Sequence, residues 1–141
     1  MEYQLLDIRT NYAKNKSLGG LSITEAGADV PFDFKRFYYI HGVSAGVKRG
    51  YHAHKELRQL LICPVGEIRI LLDNGKEKCY VTLDDPSKGL LVEPYFWHTM
   101  EWMKDNSLLM VLASDHYDES DYLRDYSDFL AYYNVENGEV L

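Results

Sequence analysis

The stretch "RGYHAHKELRQLLICPVG", residues 49–66, decides how this chain is read. His52 and His54 stand one residue apart, directly ahead of an apolar run. Side chains alternate along an extended segment, so both imidazoles fall on one face, roughly 6–7 Å apart along the strand. Gln59 sits five positions past His54, where many proteins with this spacing carry a glutamate. Glutamine is a neutral, weak ligand, and hard divalent ions favour carboxylates. The pair is thus either a metal site short of its acid or a proton-transfer pair that uses no metal. Imidazole, with an ordinary pKa of about 6.5, can both take and give a proton at neutral pH. The plainest alternative is a polar strand rim with no chemistry.

Working outward, the chain is a succession of short apolar or alternating runs. "YQLLDI" and "GLSITEA" read as strands, with Gly19-Gly20 between them, and "FKRFYYIHGV" follows between Pro31 and Gly42. Then come "ELRQLLICPV", "EIRILLD", "KCYVTLD", "GLLVEP", "FWHTMEWM" and "LLMVLAS", punctuated by Gly, Pro, Asp and Asn. Many short strands with regular turn signals predict an all-β sandwich or barrel. The end differs. "DESDYLRDYSDFLAYY" places Tyr122, Leu123, Tyr126, Phe129, Leu130 and Tyr133 at helical spacing with acids opposite. A C-terminal amphipathic helix over about 119–133 is predicted, capped by Asp118 or Ser120. Its aromatic stripe is read as packing. No repeat or linker divides residues 1–141, so one domain is expected.

The asparagine-glycine pair Asn74-Gly75 in "LLDNGKEKCYV" is a strong hairpin signal, and a two-residue turn there sets Cys79 opposite Ile70. Cys63 then lies far down the ribbon, so two buried free thiols are expected. That fits a reducing compartment. No run approaches the roughly 20 apolar residues of a membrane span. The start, "MEYQLLDIRTNYAKNK", lacks the layout of a signal peptide. A cytoplasmic protein is the expectation.

The net charge of −7 argues against nucleic acid as a partner. Its distribution is uneven. Residues 35–58 carry Lys35, Arg36, Lys48, Arg49, Lys55 and Arg58 against Glu56 alone, whereas residues 115–141 hold eight acids against Arg124. The basic segment surrounds the two histidines, which suits a small anionic ligand. Twelve tyrosines suit surfaces that grip polar, ring-shaped molecules.

The pattern "GYHAH", Gln59, Gly66 and "GLLVEPYFWH" has the layout of a cupin barrel, with His98 closing the last segment. Such barrels put their site inside the mouth. His52, His54 and His98 alone can still hold zinc or iron, but the missing carboxylate favours proton transfer. Trp97 and Trp102 are read as core aromatics, with Trp97 also a candidate wall of the pocket.

Four segments carry a closer likeness: "KRFYYI", "RGYHAHKELRQLLICPVG", "GLLVEPYFWHTM" and "LMVLASDHYDESDYLRDYSDF". Together they resemble the cupin-fold dTDP-4-oxo-6-deoxyglucose 3,4-ketoisomerases, almost continuously from Lys35 to Phe129. H-A-H-K followed by Q, with S-D-x-Y-D-E-x-D-Y, distinguishes that family among cupins. The resemblance implies a metal-free interconversion of the 4-keto and 3-keto forms of a dTDP-6-deoxyhexose. It implies no cofactor, a homodimer with exchanged N-terminal strands, and a pyridoxal-phosphate aminotransferase that takes the product. Carried over by motif, His52 and His54 form the catalytic pair. Arg36, Arg49, Lys55 and Arg58 hold pyrophosphate, with Tyr38 and Tyr51 near the nucleotide. Gln59, Tyr95 and His98 complete the substrate contacts.

In the mechanism this implies, His54 works on carbon and His52 on the oxygens, with the two roles exchangeable on the sequence. Leu18 and His98 are the candidates for control of the C4 configuration. His98 is similar to the galacto-forming branch, while Leu18 departs from the polar residue expected there. The competing readings are a dTDP-4-keto-sugar 3,5-epimerase, whose base is a histidine paired with an aspartate, a metal-dependent cupin oxygenase, and a non-enzymatic sugar-binding cupin.

Overall fold

A computed structural model describes residues 1–136 and 139–140. Ten of its strands form two five-stranded antiparallel sheets packed on one another. One sheet runs in the order β1 (Gln4–Asp7), β9 (Lys88–Val92), β6 (Gln59–Val65), β11 (Leu108–Ala113), β4 (Arg36–Ile40). The other runs β12 (Tyr122–Leu123), β5 (Lys48–His54), β10 (Trp97–Trp102), β7 (Ile68–Asp73), β8 (Lys78–Leu83). This is the jelly-roll of a cupin with one α-helix among the described residues, α1 (Tyr126–Tyr132), although the sheets do not close into a single hydrogen-bonded barrel. No helix among the described residues is long and apolar enough to cross a membrane.

The alternation of β7 shows why the sheets face as they do. Ile68, Ile70 and Leu72 are fully buried between the sheets, while Arg69 and Leu71 point outward. β6 is apolar on both faces because both are covered. Leu61 and Cys63 enter the inter-sheet core, and Leu60 and Ile62 pack beneath Ile8, Val30, Phe32 and Phe34 on the other side. Trp102 is completely buried and donates its indole N–H to the Ser107 carbonyl, 2.8 Å away.

Several expectations are corrected. The β7–β8 hairpin pairs Leu72 with Cys79 and Ile70 with Val81, not Ile70 with Cys79. Its loop has four residues, Asn74 to Glu77, because the Asn74 side chain accepts from the Lys76 and Glu77 amides at 2.9 and 2.7 Å. Gly75, at φ +86°, takes the left-handed position. The slip of two residues leaves every side chain on its expected face. Both thiols are free, with Cys63 buried and Cys79 half-buried against Met1.

The N-terminal region holds a strand the pattern missed, β2 (Arg9–Tyr12), whose sequence "RTNY" has no apolar face. It pairs with β3 (Gly20–Ile23) in a hairpin that joins no other strand among the described residues. The expected helix is shorter than its periodicity suggested. Glu119–Asp121 is a 3-10 turn and Tyr122–Leu123 is strand β12, paired with β5 as Tyr122↔His54 and Leu123↔Ala53. The α-helix begins only after Asp125, which accepts from the Ser127 and Asp128 amides. Phe129, fully buried, packs with Ala53, Trp97 and Leu123, so that part of the aromatic stripe is packing, while Tyr122 turns to the histidines instead; Trp97 lies behind the site, not in its wall. Residues Val135–Glu136 and Glu139–Val140 pair as a further two-stranded ribbon, β13–β14.

Candidate active site

Strand β5 carries the two histidines and is built around a bulge. His98 pairs with His52, but Thr99 pairs with Gly50 and Met100 with Arg49, so Tyr51 is the extra residue. Gly50 and Tyr51 both have positive φ, +99° and +62°. A Cβ on Gly50 would lie 3.0 Å from the His98 carbonyl oxygen and 3.1 Å from Met100 Sδ, so only glycine fits.

Inside the mouth, the His52 ring lies 5.1 Å from His54 and 4.7 Å from His98, and His54 and His98 are 6.1 Å apart. The Tyr122 ring lies against both catalytic candidates, 5.1 Å from His52 and 4.5 Å from His54. Burial dominates the acid–base character of the cluster. It lowers His52 and His54 to about 4 and His98 to about 3, each helped by a neighbouring imidazole. Asp121 acts the other way on His54 without overturning the burial effect. At neutral pH all three rings are uncharged.

Hydrogen bonds assign two of the rings. His54 Nδ1 lies 3.1 Å from Asp121 Oδ2, and His98 Nδ1 lies 3.2 Å from the Phe96 carbonyl oxygen. His54 Nε2 and His52 Nδ1 are buried with no partner among the described residues. So are Gln59 Oε1 and Arg36 Nε. Unpaired buried polar atoms are rare and costly, and these four mark where a polar ligand would be satisfied. The three imidazoles each bring a nitrogen within 4.8 Å of the others, so they could also hold a transition metal.

The sequence-derived site residues divide into two groups. Gln59 is buried and donates from Nε2 to the Tyr38 hydroxyl at 2.8 Å, not to the histidines. Burial pushes Tyr38 up to about 12, against the nearby positive charges of Arg36 and Arg49. Arg36 stacks over Tyr38 and Tyr117 at 5.2 and 5.7 Å. With Leu57, Asp121 and Tyr122 it lines a cleft of about 210 Å³ beside the histidines. Lys55 is exposed and lies 5.8 Å over the Tyr132 ring of α1, outside the lining of this cleft.

The others are elsewhere in this chain. Arg58 pairs with Glu93 at 2.8 Å and stacks on Phe32. Tyr51 faces an outer groove with Arg69, Tyr80 and Tyr126. Tyr95 lines a groove beside Met1 and Tyr3, and Leu18 is 75% exposed at the end of the β2–β3 hairpin. His41 is exposed, whereas His116, also exposed, lines the cleft with Arg36.

Pattern reading gave Asp121 no role and took Tyr122 as packing, whereas both stand at the histidines. Both lie in "SDHYDESDY", whose closely spaced acids resemble a solvated helix start. Arg124 is also part of this shell, stacked 4.2 Å over Tyr122 and held bidentately by Glu119.

The two-sheet jelly-roll, with three histidines gathered on β5 and β10, has the form of a cupin. Residues 1–134 match the model of the FdtA family, described as WxcM-like, C-terminal, and the chain belongs to that family and is an isomerase. It is 45% identical, over 82% of its length and 84% of the relative's, to TDP-4-oxo-6-deoxy-alpha-D-glucose-3,4-oxoisomerase of Aneurinibacillus thermoaerophilus. It superposes with a TM-score of 0.86 on QdtA, a sugar 3,4-ketoisomerase from Thermoanaerobacterium thermosaccharolyticum solved with TDP. That pair is 39% identical over 92% of each chain. A 3,4-ketoisomerase from Helicobacter canadensis matches with a TM-score of 0.86 and 37% identity, over 93% of this chain and 96% of that one.

Proposed function

We propose that this protein moves the keto group of dTDP-4-keto-6-deoxyglucose from C4 to C3 by acid–base catalysis on His52 and His54, without a metal or cofactor. The observation that carries this is the pair of adjacent buried imidazoles, neutral at pH 7 and each with a nitrogen that has no hydrogen-bond partner among the described residues. Neutral imidazoles in a water-poor mouth are suited to accept and return protons beside a carbonyl.

His54 takes the C3 proton, and the electrons of that C–H bond form the C3–C4 double bond as the C4 oxygen gains a proton from His52. The cis-enediol then gives its C3 hydroxyl proton back to His52 while C4 takes the proton carried by His54, so both rings return to their starting state. C3 is oxidised, C4 is reduced, and atoms and charge balance. Arg36, Arg49 and Lys55 hold the pyrophosphate, Tyr38 lies near the nucleotide, and Gln59 offers its unpaired Oε1 to the sugar. Arg58 joins them only by leaving Glu93.

The product has the galacto configuration at C4. His98, packed on His52 at 4.7 Å, supports this through its likeness to the galacto-forming branch. The 3-ketone is suited to a pyridoxal-phosphate aminotransferase, which would replace the keto oxygen with an amine. Two copies associate through the β2–β3 hairpin, which exposes Tyr12, Leu18 and Leu21 and pairs with nothing else among the described residues. An exchanged hairpin would bring Leu18 towards the partner's site. Two free thiols suit a cytoplasmic location.

The test is incubation with dTDP-4-keto-6-deoxyglucose in D₂O, followed by NMR. A carbonyl at C3, deuterium at C4 and an axial C4 hydroxyl are expected. No migration from C4 overturns the reading, and an equatorial hydroxyl overturns the galacto assignment alone. The His54–Asp121 pair favours the 3,5-epimerase as a second reading, because a histidine–aspartate pair is its mark. Deuterium at C5 with the carbonyl still at C4 would establish it instead.

A further inference from the structure

The two histidines are not equivalent, and the difference lies in what holds each ring from behind. We infer that Asp121 is a positioning residue that fixes the tautomer of His54 and so makes His54, not His52, the base at carbon. The inference rests on the ketoisomerase reading above.

A carboxylate only accepts hydrogen bonds, so the 3.1 Å contact from Asp121 Oδ2 requires the proton of neutral His54 to sit on Nδ1. The lone pair is then on Nε2, which is buried and has no partner among the described residues. Asp121 is itself immobilised. Its Oδ1 accepts from the Glu56 amide at 2.9 Å, its Oδ2 from the Leu57 amide at 3.3 Å, and its carbonyl from the Lys55 amide at 2.9 Å. These amides hold the carboxylate in place behind the ring, and its contact raises the basicity of His54. Pairing of Tyr122 with His54 sets the register of Asp121, and the Tyr133 hydroxyl donates to the His54 carbonyl from the opposite side.

His52 has no carboxylate behind it among the described residues. Its Nδ1 makes no well-aligned hydrogen bond there, and only the Gly50 carbonyl approaches the ring, so its tautomer is held less firmly than that of His54. A ring that must give a proton to one oxygen and take one from the next needs that freedom, whereas a ring that removes a proton from carbon needs a fixed lone pair. His98 is fixed by the Phe96 carbonyl but lies farther from His54 than from His52, and serves as a neutral wall of the cluster.

The experiment has two arms. The ¹⁵N NMR spectrum of the wild-type imidazoles at neutral pH reads the tautomer without turnover. His54 is expected to carry its proton on Nδ1, and a proton on Nε2 would overturn the inference. Asp121→Asn keeps an acceptor for the Glu56 amide but gives up the bond from the Leu57 amide, and its NH₂ can donate to His54 Nδ1, inverting the tautomer. It is expected to slow C3–H exchange into D₂O by about 10²–10⁴-fold, with the dissociation constant for TDP held within about threefold. The conservative Asp121→Glu should recover part of the rate. Exchange by Asp121→Asn at the wild-type rate would overturn the inference. Absence of carbonyl migration by the wild-type protein would instead count against the ketoisomerase reading, and the ¹⁵N arm would still decide the tautomer.

Discussion

Arg49 and His52 lie on the same face of β5 although they are three residues apart, because the bulge at Gly50 and Tyr51 inserts one residue between them. Their cross-strand partners, Met100 and His98, are two apart on β10 and share that face. Simple alternation would send Arg49 outward with Tyr51; the bulge turns it towards the histidines.

Gly50→Ala should therefore harm both fold and site. The added methyl meets the His98 carbonyl oxygen at 3.0 Å, on a backbone at φ +99°. A loss of about 1–3 kcal/mol is expected in denaturant unfolding, with kcat/KM falling further as His52 moves. Arg49→Gln, which leaves the bulge intact, should raise KM for the dTDP-sugar about tenfold with kcat nearly unchanged, as expected for a group that binds substrate and transition state alike. A change confined to kcat would contradict a phosphate-holding role.

The histidine cluster sets a distinctive pH response. The folded values of about 4 for His52 and His54 and about 3 for His98 lie below the ordinary value of 6.5. Below that ordinary value the unfolded chain binds protons that the folded chain does not, so stability falls as pH drops from about 6.5 towards 4. The slope is at most about 1.4 kcal/mol per pH unit for each histidine. The groups facing these rings set the balance: Asp121 raises His54, Arg36 lowers it, and Glu119 and Arg124 act oppositely on His52. On the free enzyme, kcat/KM should stay flat from pH 8 to about 5.5 and fall only in more acid solution. An acid limb centred near 6.5 would show an ordinary, solvated imidazole acting as base.

How much of this was legible in the sequence depends on the kind of signal each element carries. The alternation of "EIRILLD" and the H-x-H spacing gave the sheet faces and the paired imidazoles directly, since both depend only on the two-residue period of a strand. Strand β12 could not be read the same way. Two residues have no period, and they extend only because β5 offers a partner. That hidden strand brings Asp121 to His54. Likewise, Arg36 and Arg58 look alike as basic residues near the histidines. Only the fold shows that Arg58 is occupied by Glu93 while Arg36 lines the cleft.

The short helix supports the site from behind. Phe129 is fully buried against Ala53, Trp97 and Leu123, on the face of β5 opposite the histidines. Phe129→Ala should cost about 3–5 kcal/mol in chemical denaturation. It should also lower turnover, because β5 and β12 lose the packing that holds His54 beside Asp121. A variant with full stability would mean that α1 contributes little to the body.

The N-terminal hairpin gives a prediction for assembly. Leu21 is 59% exposed on a two-stranded unit that pairs with no other strand among the described residues. Leu21→Arg should leave the unfolding transition of the body within about 0.5 kcal/mol, as for an ordinary surface change. It should shift the mass measured by sedimentation from two chains to one. A dimer unaffected by this charge would place the interface elsewhere.

The division of labour between the histidines can be separated by isotope exchange. His54→Asn removes the lone pair that takes the C3 proton, so neither C3 exchange nor carbonyl migration should be measurable above roughly 10⁻² of the wild-type rate. His52→Asn leaves His54 and its bond to Asp121 in place. Recovered 4-keto substrate should then still gain deuterium at C3 from D₂O, while migration slows by about 10²-fold or more because the two oxygens no longer share a proton carrier. If His52→Asn instead abolished exchange and His54→Asn preserved it, His52 would be the carbon base. The Asp121 contact would then serve the fold of the 54–57 turn, which it also holds through the Glu56 and Leu57 amides.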